Sequence, residues 1–80
     1  QRRAAHVLTG PVKRSVTIAG HETSISLEPV FWDALKTAAA QEGVPANALI
    51  ARLDAERIAA STPANLASHI RVWLFQRLTG

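Results

Sequence analysis

With 80 residues, 48% of them apolar, and no cysteine, the chain has room for one small domain that neither a disulfide nor a thiolate metal site can reinforce. No apolar run approaches the roughly 20 residues that span a bilayer, and the first residues lack the apolar stretch of a secretion signal, so a membrane partner is not expected and a reducing cytoplasm is. The net charge of +3 is uneven: Arg2, Arg3, Lys13 and Arg14 precede every acid, whereas the other five bases face six acids.

A chain this short and apolar, without staples, is expected to share its core with a second copy, as a homodimer. It starts at Gln1 and contains no methionine, which is expected of a trimmed chain. Residues 1–14 carry no sustained apolar period and are broken at Gly10-Pro11; they read as a flexible basic leader. Such a leader suits a polyanion or is simply a solvated tail. The folded domain is expected over 15–80.

From Ser15 the pattern alternates. Val16 and Ile18, then Ile25 and Leu27, are apolar between polar neighbours, which predicts strands over 15–19 and 23–27. The parity changes between the two runs. A two-residue type II′ turn at Gly20-His21 would absorb that change, placing Val16 opposite Ile25 and Ile18 opposite Thr23. The apolar side chains then share one face, and Ser15, Thr17, Ser24 and Ser26 the other.

Pro29 suits the first turn of a helix over 29–42, with Phe31, Trp32, Leu35, Ala38 and Ala39 as its buried stripe and Gly43 as a left-handed cap. Pro45 opens a second helix over 45–60, which buries Ala46, Leu49, Ile50 and Leu53 and leaves Arg52 and Glu56 on its wet face. Thr62-Pro63 starts a third over 63–78, with Leu66, Ile70, Trp73 and Leu74 apolar, and Phe75 and Leu78 as further candidates. That helix either packs on the others or joins dimers into a larger oligomer; Arg71 and Arg77 alone make a poor cationic face for a membrane.

The order strand, helix, glycine turn, helix, with the stretch Thr23-Ser24-Ile25-Ser26-Leu27-Glu28-Pro29-Val30-Phe31-Trp32-Asp33-Ala34-Leu35 and the continuation Gly43-Val44-Pro45-Ala46-Asn47-Ala48-Leu49-Ile50, resembles ribbon-helix-helix proteins of the Arc and MetJ type. It is similar more narrowly to short bacterial ribbon-helix-helix proteins. The resemblance covers about 15–60. It implies a mainly helical homodimer with a short β ribbon, here extended by an N-terminal hairpin strand and a third helix.

The resemblance also implies double-stranded DNA as partner. Glu22, Ser24 and Ser26 would face the bases, and Ala46 and Asn47 would meet a phosphate, assisted by Arg2, Arg3, Lys13 and Arg14. Ile25, Leu27, Phe31, Trp32, Leu35, Leu49, Ile50 and Leu53 would form the dimer core. Three features depart from that pattern. Glu22 repels phosphate, Val44-Pro45 stands where a hydroxyl cap is usual, and a paired strand 15–19 would widen the ribbon.

No nucleophile–base pair, phosphate-cradling loop or close carboxylate pair supports catalysis, and no cofactor is implied. His6, His21 and His69 lack metal-site spacing. Trp32 and Trp73 read as core or dimer contacts rather than a ligand box. The expected function is a dimeric, sequence-specific DNA-binding transcriptional regulator (repressor or antitoxin-like), nucleoid-associated in that case. The alternative is a protein-interaction or oligomerisation module on the same scaffold.

Overall fold

The computed structural model describes residues 10–61 and 65–80. They form an antiparallel hairpin of β1 (Val12–Ile18) and β2 (His21–Leu27), followed by helices α1 (Pro29–Glu42), α2 (Ala46–Ala59) and α3 (Leu66–Thr79). β1 begins three residues before the alternation predicts, so Lys13 and Arg14 belong to the hairpin rather than to a leader. Arg14 hid the pattern: it holds an inward position between Val12 and Val16, carrying its guanidinium 5.2 Å over the Trp32 ring.

The turn also differs. It is Ala19-Gly20, with φ of 52° and 81°, and Val16 pairs with Thr23, Ile18 with His21 and Arg14 with Ile25. Two positive φ values make this a type I′ turn, whose twist matches the strands, rather than II′ at Gly20-His21. The resulting slip is two residues along the partner strand, which preserves every face assignment. Ala19 holds a left-handed conformation that costs an L-residue about 1 kcal/mol, whereas asparagine tolerates it. Ala19→Asn is therefore expected to raise the thermal midpoint by about 4 °C or more, as read by circular dichroism.

The inward face of the hairpin, Val16, Ile25 and Leu27, lies on Trp32, Leu35, Ala38 and Ala39 of α1 and Leu49, Ile50 and Leu53 of α2. α3 completes this layer with Ile70 and Leu74. Leu27, Leu35, Leu49, Ile50, Leu53 and Ile70 are at most 1% exposed within a single chain. The residues expected to meet across two copies are thus already covered, apart from the half-buried Phe31. Within a single chain the third helix adds Ile70 and Leu74 to the cover over these residues. Phe75 and Leu78, two of its candidate apolar positions, are instead 64% and 84% exposed.

Helix ends explain the spacing of these elements. Gly43, at φ 71°, ends α1, and the Gly43 and Val44 N–H groups donate to the Ala40 and Ala39 carbonyls. α3 starts at Leu66, where Asn65 Oδ1 accepts the Ser68 N–H at 2.8 Å. The expected start at Thr62-Pro63 lies outside the described residues.

Two arginines tie α3 to the ends of α1. Arg71 Nε donates to Glu28 at 3.0 Å while its guanidinium covers the Phe31 ring, and Arg77 donates to Glu42 at 2.9 Å while covering Trp73. Glu42 also receives Arg52 at 2.6 Å, so this exposed arginine reaches α1 rather than Glu56 on its own helix. Both carboxyls lie below their ordinary 4.5, Glu28 through its own backbone N–H and then Arg71, Glu42 through Arg52 first. A carboxyl depressed by folding contributes stability above 4.5 that fades as pH falls through its folded value. Acid titration followed by tryptophan fluorescence is expected to show this loss below pH 4.5, with Glu42→Gln flattening the acid limb.

Candidate nucleic-acid interface

Alternation places Lys13, Ser15 and Thr17 of β1 and Glu22, Ser24 and Ser26 of β2 on the outward face of the hairpin. Lys13 lies opposite Ser26, Ser15 opposite Ser24 and Thr17 opposite Glu22. All are exposed except Ser26, which is half-buried. The face is a strip of hydroxyls with one positive end and one negative end. Ser24 and Ser26 stand where the sequence places them, and so does Glu22, at the end nearest the turn.

The hairpin also determines which backbone groups stay open. In a two-residue hairpin the residues flanking the turn, here Ile18 and His21, exchange both hydrogen bonds, and the pattern alternates from there. The N–H and C=O groups of Glu22, Ser24 and Ser26 therefore face away from β1, and those of Lys13, Ser15 and Thr17 face away from β2. Arg71 approaches the β2 edge, its guanidinium 3.5 Å from the Ser26 carbonyl. Nothing in the local sequence signals that approach, which joins residues 45 positions apart.

Charge is sorted around this sheet. Arg52, Arg57, Arg71 and Arg77 are each paired with an acid. Lys13, Arg14 and Lys36 have no ion-pair partner among the described residues and are exposed. Arg14 and Lys36 border a cleft of about 180 Å³ floored by Trp32 and Ile50, with Ser15 of β1 on one side and Asn47 on the other. The cleft also meets the first turn of α2, whose cap residue Pro45 makes no side-chain bond to it. Its N–H groups add a partial positive charge.

Of the expected phosphate-binding residues, the structure therefore brings Arg14, Asn47 and half-buried Ala46 together, with Lys13 on the neighbouring outward face. Arg2 and Arg3 lie outside the described residues, as does His6. Lys36 escaped the sequence reading, although its spacing of one turn from Trp32 was the available signal. Among the described residues no group of three or more histidine and carboxylate side chains could hold a metal ion, and no helix is long and apolar enough to cross a membrane.

A family model described as "Ribbon-helix-helix domain" matches residues 11–78. Among solved structures, the chain is similar to an uncharacterized protein from Bordetella pertussis Tohama I. Identity is 27% and the TM-score 0.75, over 98% of this chain and 67% of that one. No curated protein matches.

Proposed function

The chain belongs to the ribbon-helix-helix domain family, and from that premise we propose that it is a homodimeric, sequence-specific DNA-binding regulator of the repressor or antitoxin-like kind, working on nucleoid DNA in the cytoplasm. The family often binds DNA, which lends weight to this reading. The observation that carries it is the β2 edge, which pairs with no further strand among the described residues and which Arg71 meets at the Ser26 carbonyl, beneath a hydroxyl face flanked by cations with no ion-pair partner among the described residues.

Two β2 strands pair antiparallel through their open edges. Centring the two-fold on Ser24 satisfies the most backbone groups: Ser24 meets its counterpart, and Glu22 meets Ser26 of the second copy at both ends. The chain's own core stays intact, so the dimer forms by strand addition rather than by sharing a core.

At about 4.8 Å per strand, the central β2 pair lies roughly 2.4 Å either side of the axis and the β1 strands roughly 7.2 Å. The major groove is about 12 Å wide, so its walls stand roughly 6 Å out. The β2 pair fits between them and offers Ser24 and Ser26 to base edges, with Glu22 placed to accept from a cytosine amine. The β1 strands fall over the walls, and sheet twist turns them off the plane. There Lys13 meets phosphate, with Arg14, Lys36 and the α2 start at Ala46 and Asn47 alongside.

Titration of labelled duplex pools at low salt tests this, and enrichment of a two-fold site at submicromolar protein is expected. Ser24→Pro removes the N–H at the centre of the free edge without breaking the hairpin ladder. It is expected to yield folded monomers by sedimentation that no longer select the site. Failure of wild-type protein to bind any duplex at micromolar concentration ends the reading.

A second reading, a protein-interaction module on the same scaffold, is favoured by two observations. β1 pairs with β2 along its whole length, giving a dimer sheet roughly 19 Å across, and Glu22 brings negative charge to the outward face. A partner retained at high salt, without duplex binding, distinguishes it.

A further inference from the structure

We propose that the outer edge of β1 is a docking edge for an extended acidic segment of another protein, with one of its carboxylates seated between Arg14 and Lys36. The backbone groups of Lys13, Ser15 and Thr17 face away from β2, and among the described residues no strand pairs with them. Pairing through β2 in a dimer leaves this edge outermost. Edge strands are commonly blunted by bulges, prolines or charges. On β1 the charges are Lys13 and the inward Arg14, and Ser15 and Thr17 beyond them are small and exposed.

The cleft beneath this edge defines what fits. A strand added beside β1 sends alternate side chains to the outward face and to the inward one. Residues opposite Ser15 point outward, and residues opposite Arg14 or Val16 turn inward over the cleft. Its volume of about 180 Å³ is below that of typical small-molecule sites, about 300 Å³ and more, but accepts one side chain. Trp32 and Ile50 would take the methylenes of a glutamate, and Arg14 and Lys36 its carboxylate; among the described residues no acid lines the cleft. The positive end of α2 acts in the same direction. Main-chain pairing supplies affinity and the cationic cleft selects the acid, as in other strand-addition interfaces. Because the same cations serve phosphate in the reading above, segment and duplex exclude one another, although the docking edge stands without that reading.

The probe is an acetylated heptapeptide of alternating threonine and glutamate, added to the full chain without DNA. Saturable quenching or enhancement of tryptophan fluorescence is expected, and hydrogen exchange at the Ser15 and Thr17 amides slows at least tenfold. N-methylation of the threonine amides, or the double change Arg14→Gln with Lys36→Gln, weakens binding at least tenfold, and the double variant stays folded, its denaturation midpoint lowered by no more than the few degrees that the lost Arg14 stack on Trp32 costs. The inference is overturned by absence of saturation at millimolar peptide. It is equally overturned by binding that leaves both amides exchanging freely, or by equal binding of the N-methylated peptide. A parallel arm uses duplex DNA: slowing of these amides by duplex and not by peptide assigns the edge to nucleic acid and also ends the proposal. Loss of duplex binding with peptide binding retained removes only the DNA reading.

Discussion

Leu53→Ala is expected to lower the unfolding free energy by about 3–5 kcal/mol. Leu53 is fully buried in the core on α2, the helix that packs against β1, α1 and α3, so cutting its side chain back leaves a gap in that core. Surrounding groups can collapse into the gap only by shifting more than one of them, which places the cost toward the upper part of the leucine-to-alanine range. A domain of this size has a total of only about 5–10 kcal/mol, so the change removes roughly a third of it or more. Urea titration followed by the fluorescence of Trp32 and Trp73 measures the change. Leu78→Ala, at a position 84% exposed, should stay within about 0.5 kcal/mol and serves as the control. Repeating the pair in the Ser24→Pro background separates two architectures. A core closed within one chain keeps the same loss in a monomer, with a midpoint independent of protein concentration; a shared core would leave the monomer unfolded to begin with.

That closure was the least legible feature of the sequence. The stripe Ile70-Leu74 at helical spacing looks the same whether it covers its own chain or a second copy, because periodicity shows which face is apolar and not what covers it. The hairpin was easier. Val16 and Ile18, Ile25 and Leu27 alternate cleanly, and the faces they define survive the two-residue change of register. The turn was misplaced because a glycine followed by histidine fits II′, whereas the chain spends strain on Ala19 to obtain the better-twisted I′ form. α1 has the expected bounds, since Pro29 and Gly43 mark its ends chemically. At the site, outward Ser24 and Ser26 followed from parity alone. Lys36 did not, because its approach to the flank of β1 depends on how α1 crosses beneath the sheet.

The combined change Lys13→Gln, Arg14→Gln and Lys36→Gln is expected to abolish measurable duplex binding at physiological salt while leaving the fold in place. All three side chains are exposed, and among the described residues the change removes the Arg14 stack on Trp32, worth about 0.5–1 kcal/mol at an exposed site. Their effect on DNA is far larger. A dimer carries each charge twice, and each neutralised phosphate contributes about 0.9 to the slope of log K against log salt, so the slope should fall by about 5. Phosphate binding on that scale is worth roughly a thousandfold in affinity between 50 and 200 mM salt. Arg52→Gln, which removes an equal charge already paired with Glu42, should leave the slope nearly unchanged. If both variants reduce the slope per charge to the same extent, only net charge matters to the duplex, and the flank of β1 is not where phosphate binds.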